Sequence, residues 1–147
     1  MASILKVDSM QGVTSAGDIT ITSEGGSATQ SLQQGLVKAW TNFDASTTPT
    51  ARDSFNISSY GDNGSGDTTI NMTNSMSNGG YMIASGVNTY HGQSDFRWPT
   101  FIKGDGAVNG WSTITTGHFR VQTNQVTNGV STADSGLVSK SVTGDLA

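Results

Sequence analysis

A chain of 147 residues with no Cys, a single Glu and a formal charge of −4 has the length of one ordinary domain. It cannot be held by disulfides and offers nucleic acid no basic surface. Charged residues make up only 12% and hydrophobic residues 33%, with 19 Gly and 2 Pro; this excludes the highly charged kind of disorder and points to a thin core.

Ser and Thr supply roughly a quarter of the chain, an unusual share. β-branched Thr fits a pleated surface and loses rotamer freedom in a helix, so the composition favours strands. In chain order, Ser3 to Asp8 reads as a short strand, and its start lacks the apolar core of a signal peptide. Synthesis in a cytoplasm, without export by the usual route, is therefore expected. Gln11 to Gly17 reads as a loop, Asp18 to Thr22 as an alternating strand, and Glu24 to Ser27 as a flexible glycine-rich link. Residues 1–34 are thus expected to form an arm, and residues 35–147 a β-module. An extended arm advances about 3.3 Å per residue, far enough to reach a neighbouring subunit. Ile4, Leu5, Val7, Ile19 and Ile21 are its apolar anchors.

Ala28 to Gln34 reads as one or two helical turns. Leu36 to Phe43 is the first strong strand of the module, Arg52 to Ser58 the second, and Asp67 to Thr73 the third, with Thr68, Ile70 and Met72 on one face. Asn78-Gly79-Gly80 turns into a strand over Tyr81 to Ser85. Further strands are expected at Phe96 to Phe101, Trp111 to Thr115, His118 to Thr123 and Leu137 to Thr143. Turn signals recur at roughly 8–12 residues, the spacing of a sandwich or barrel. The expected fold is all-β, an antiparallel β-sandwich of jelly-roll type with an extended N-terminal arm. A core this thin is expected to be supplemented, since there is no Cys to do it, by oligomerisation first and by a metal as the weaker option.

Little in the chain points to chemistry. His91 falls in a loop and His118 on a strand, and neither stands in a nucleophile-elbow context. The lone Glu24 sits in a glycine-rich stretch, a poor mount for a catalytic acid, and Asp62, Asp67, Asp95 and Asp105 sit in turn contexts. Asp62-Asn63-Gly64-Ser65-Gly66-Asp67 offers oxygen ligands in a glycine loop, but without the EF-hand spacing or its closing Glu; a hairpin turn is the better reading. No catalytic residue, metal site or cofactor is expected, and the chain is read as a non-enzyme. The stretch from Asn88 to Phe101 is dense in aromatic residues. Tyr90, His91, Arg97 and Trp98 are its candidate receptor or interface contacts, because Tyr, Trp and Arg anchor interfaces and aromatic faces stack on sugar rings.

Lys38-Ala39-Trp40-Thr41-Asn42-Phe43, Arg52-Asp53-Ser54-Phe55-Asn56-Ile57-Ser58-Ser59 and Asp62-Asn63-Gly64-Ser65-Gly66-Asp67-Thr68-Thr69-Ile70-Asn71 together resemble a module of tailed bacteriophages. That module is frequent among phages of marine and freshwater bacteria, including cyanophages, and belongs to tail-fibre or virion structural proteins. Its pattern is a Lys-Ala-Trp strand, an Arg-x-Ser-Phe-Asn strand, an Asp-Asn-Gly/Thr-Gly-Asp turn and a Thr-x-Asn strand. The opening Ile4 to Asp8 is similar to the start of many such proteins, and the ending Val142 to Ala147 more weakly so. The specific resemblance covers about residues 36 to 73.

The resemblance implies a β-rich homotrimer on the surface of a virion and brings no catalytic residues. Its partners would be further copies of itself, tail or major capsid protein, and a host surface glycan, with no nucleic acid and no insertion into a membrane. Tail fibres usually carry such a module after a long shaft, which this chain lacks. A chain with an arm also suits a capsid decoration (cement) protein. The leading expectation is a tail-fibre-type component with a host-recognition role, and the alternative is a decoration protein that stabilises the head.

Overall fold

The structure is a computed structural model that describes residues 4–13, 19–86, 96–102, 114–126 and 130–147. It is all-β and antiparallel: among the described residues there are eleven strands and one helical turn. The chain divides into two units, residues 1–36 and 37–147.

In the first unit, β1 (Thr20–Thr22) pairs antiparallel with β2 (Thr29–Ser31), with Ile21 opposite Gln30. The turn between them is closed by Ser23, whose amide donates to the Ala28 carbonyl at 2.8 Å. The helical expectation for 28–34 is corrected here. Thr29 to Ser31 extend into the hairpin, and only α1 (Leu32–Gly35) is helical, capped by the Ser31 hydroxyl, which accepts from the Gln34 amide. A lone turn pays the full cost of helix nucleation, whereas extending these residues closes a β-ladder.

The second unit has two sheets. One is ordered β4 (Thr50–Phe55), β3 (Val37–Asp44), β11 (Val138–Thr143), β7 (Met82–Gly86). The other is ordered β10 (Val130–Thr132), β9 (His118–Val126), β6 (Asp67–Met72), β5 (Ile57–Asp62), with β8 (Phe96–Ile102) also on β9. Alternate residues of both sheets meet in one core: Ala39 and Phe43 of β3, Val138 and Val142 of β11, Ile70 and Met72 of β6, and Phe119 and Val121 of β9. Phe43 stacks on Tyr60 of β5, with ring centroids 4.9 Å apart, and Tyr81 meets Phe119 edge-on at 6.4 Å. Burying a side chain of this size is worth about 1.5–3 kcal/mol, and Ile70, Met72, Met76, Val121, Val138 and Val142 fill the space around these rings.

Arg52 to Ser58, expected as one strand, is two strands in different sheets: β4 ends at Phe55 and β5 begins at Ile57. Asn56 lies between them in the left-handed region, at φ 58°. Asn tolerates that region better than most residues, because its short side chain can hydrogen-bond locally. Here its Nδ2 donates to the carbonyls of Lys38 (3.0 Å) and Asn74 (3.2 Å), and its Oδ1 accepts from the Asn74 amide (2.7 Å). The corner separates Phe55, which is exposed, from Ile57, which packs against the core. The expected strand over Trp111 to Thr115 lies mostly outside the described residues; Ile114 makes a single bridge to Phe119, and Thr115 opens the turn into β9.

Candidate functional site

The Asp62–Asp67 turn, the one place where the sequence offered oxygen ligands for a metal, closes the β5–β6 hairpin. Its carboxylates are committed to the framework. Asp62 Oδ1 accepts from the Gly64 amide at 2.9 Å. Asp67 is buried, and its two oxygens each accept from Arg120, from Nε and Nη2, at 2.6 Å. This charge-assisted pair raises the pKa of Arg120, Asp67 being the main cause. Asp134 reaches the same turn, its Oδ1 accepting from the Gly66 amide at 2.6 Å.

Gly66 shows why the turn needs glycine. Its φ is +68°, and a Cβ there would lie 2.5 Å from the Thr123 carbonyl oxygen and 2.6 Å from the Ala133 nitrogen. The loop spans Asn63 to Gly66, and the left-handed positions fall on Gly64 and Gly66, so it is longer than a two-residue Asn-Gly turn. Among the described residues, no group of three or more His, Cys, Asp or Glu is placed to hold a metal ion.

A different feature is an open groove on one face of a sheet. Along β3, Ala39, Thr41 and Phe43 are buried, and Thr41 Oγ1 meets Tyr60 Oη of the other sheet at 2.5 Å. Side chains alternate along a strand, so Trp40 and Asn42 stand on the outer face of the β4-β3-β11-β7 sheet. On β11 the buried residues are Val138, Lys140 and Val142, which puts Ser139 and Ser141 on that same outer face. The registers place Trp40 opposite Ser141 and Phe55, Asn42 opposite Ser139 and Asp53, Ser141 opposite Ala84, and Ser139 opposite Gly86. Small residues on β11 and β7 therefore lie beside a large one on β3. The result is a groove of about 390 Å³ lined by Trp40, Asn42, Ala84, Gly86, Ser139 and Ser141, with the chain of Thr41, Ser85 and Lys140 running between them. That volume is in the range of small-molecule sites, about 300–1,000 Å³.

Trp40 is 37% exposed and its neighbour Phe55 54% exposed. Asn42 Oδ1 is buried without a hydrogen-bond partner. Among the described residues of the lining, Lys140 is the ionisable one. It turns its ammonium to the inner face, where Nζ donates to Ser85 Oγ at 2.6 Å, and burial lowers its pKa to about 8.

The sequence-predicted residues fall elsewhere. Tyr90 and His91 lie outside the described residues, as do Asp95 and Asp105. The backbone positions of Arg97 and Trp98 are on β8, opposite Gln125 and Asn124 of β9; their side chains lie outside the description. Ile4 and Leu5 are 79% exposed and Val7 and Ile21 about half exposed, while Ile19 is half-buried and its carbonyl accepts from the Leu32 amide. Sequence reading missed the groove because it took Trp40 as part of a strand signature. The available signal was parity. Trp40 and Phe43 are an odd number of residues apart on one strand, so only one of them can face the core.

No family model, no curated protein and no solved structure matches this chain.

Proposed function

We propose that this protein is a bacteriophage virion component of tail-fibre type, displayed on the particle surface with a role in host recognition. The observation that carries the reading is the first unit. It presents Ile4, Leu5, Val7, Met10, Val13 and Ile21 to solvent on a unit whose described secondary structure is one short hairpin and one helical turn. Apolar side chains gathered on a segment that does not bury them mark a surface that another protein covers. In this reading the segment docks the protein on the particle, by strand addition or by lying along a neighbour, and the second unit is displayed. The resemblance of residues 36–73 to phage structural modules supports the same reading. The finer architecture proposed is a two-sheet sandwich assembled as a homotrimer. The jelly-roll type belongs to the same proposal; among the described strands, β3–β4 and β5–β6 are hairpins within single sheets.

Purified virions probed with antibody against the protein test the reading. A few to a few dozen copies per particle are expected, and a chain lacking residues 1–34 should fold but fail to join the particle. Hundreds of copies, with heads that break at lower temperature when the protein is missing, would assign it instead to capsid decoration. Absence from the particle would end both readings.

A further inference from the structure

We propose that the outer-face groove between Trp40 and the small residues of β11 and β7 binds a neutral saccharide, with a pyranose ring stacked on the Trp40 indole. This deepens the particle-surface reading, on which the assignment of the sugar to a host cell surface rests; the groove itself stands on its geometry. A pyranose presents an apolar face of C–H bonds rimmed by hydroxyls that both donate and accept. The groove has the matching parts in the matching places. The exposed Trp40 ring, extended by Phe55 on the next strand, supplies an apolar wall. Ser141 and Ser139 stand beside it across β11, and Ala84 and Gly86 leave the far side low enough for a ring to enter. Asn42 supplies the amide at the end of the wall. Its Oδ1 is buried with no partner among the described residues, and Asn42 belongs to the groove lining. An unmet buried acceptor is costly in a folded protein and marks a place where a ligand can supply the missing bond.

The lining also argues for a neutral ligand. Among its described residues the one ionisable side chain, Lys140, directs its ammonium to Ser85 on the inner face, so these residues offer a phosphate or sulfate no cation. A second copy of the chain is the competing occupant, since Trp40 and Phe55 could pack against another sheet. The polar share of the lining favours the sugar, because Asn42 Oδ1 has no partner among the described residues and a dry protein interface would have to satisfy it and the Ser141 hydroxyl.

The test uses the full chain titrated with maltohexaose, cellohexaose, chitohexaose and mannohexaose at millimolar concentration, read by Trp fluorescence and calorimetry. At least one should bind. Trp40→Ala should weaken that binding tenfold or more, Trp40→Phe should restore part of it, and Asn42→Ala should cost about fivefold. Ser141→Arg fills the groove from an outer-face position and should abolish binding while leaving the circular dichroism spectrum and melting curve intact; it carries the test if Trp40→Ala fails to fold. Failure of all four sugars to bind overturns the proposal, as does binding that survives Ser141→Arg. So does a change of sedimentation coefficient on Trp40→Ala, which would make the face a contact between copies. Copy number on virions is read in parallel: protein on the particle with no sugar bound refutes the groove alone, whereas sugar bound by a protein absent from the particle refutes the virion reading alone.

Discussion

Asn56 does more for this fold than its size suggests. It holds a left-handed backbone conformation while its amide ties Lys38 of β3 to Asn74 after β6, strands that belong to different sheets. Asn56→Ala should therefore lose both the tolerance of positive φ and three hydrogen bonds, a destabilisation of about 2–4 kcal/mol. Asn56→Gly should recover the backbone part only; equal losses for the two variants in urea unfolding would show that the strain is unimportant. Asp67 presents a different case. It is a buried carboxylate held by a two-point bond from Arg120, and Asp67→Asn should cost about 3 kcal/mol by leaving the guanidinium without its counter-charge. A loss within measurement error would mean that water or a neighbour replaces it. Both residues stand inside the phage-like signature, whose members thus include a corner and a clamp. What the signature encodes at these positions is the shape of a chain.

Among the elements, β11 carries the clearest contradiction of simple patterning. Val138, Lys140 and Val142 face inward, so a lysine takes a core position at 3% exposure beside Ser85 of β7. Burial lowers its pKa from 10.5 to about 8, which has a definite consequence for stability. Between pH 8 and 10 the unfolded chain holds a proton on this amine that the folded chain has released, so unfolding becomes harder as pH rises. Tyr81 acts in the opposite sense above that window. Burial raises its phenol to about 12, so beyond pH 10 the unfolded chain ionises first and stability falls. The expected profile rises by about 2 kcal/mol from pH 8 to 10 and then turns over. Lys140→Met should remove the rise; a chemical-denaturation series that falls steadily from pH 8 in both proteins would contradict the burial of this amine.

At the scale of the whole molecule, the first unit leaves large apolar side chains in water: Ile4, Leu5, Val7 and Ile21. A core supported by only a few large residues gains from assembly; two-fold dimers are the commonest outcome for soluble chains, and the three-fold form proposed here rests on the resemblance of residues 36–73 to phage modules. Sedimentation equilibrium should give three times the mass of one chain at micromolar concentration, with melting that depends on protein concentration. A heat-resistant single chain in dilute solution would refute the trimer.

The sequence by itself determined the all-β character, because a chain rich in Thr and poor in Glu and Lys has little to gain from helices. It also determined most strand positions, since Thr68, Ile70 and Met72 alternate with a period that only a pleated strand satisfies, and the Asp62–Asp67 hairpin, since its glycines permit the left-handed turn. Only the tertiary structure decided the rest. It broke Arg52–Ser58 at Asn56, because which sheet each half joins depends on partners distant in sequence. It chose Phe43 over Trp40 for the interior, because both are apolar and opposite in parity, and the choice falls to Tyr60 and the facing sheet. By the same choice it placed Trp40 beside Ser139 and Ser141, about a hundred residues away along the chain. Alternation along a strand is local, and composition sets it; which face becomes the outside, and what stands next to it there, is fixed by long-range pairing.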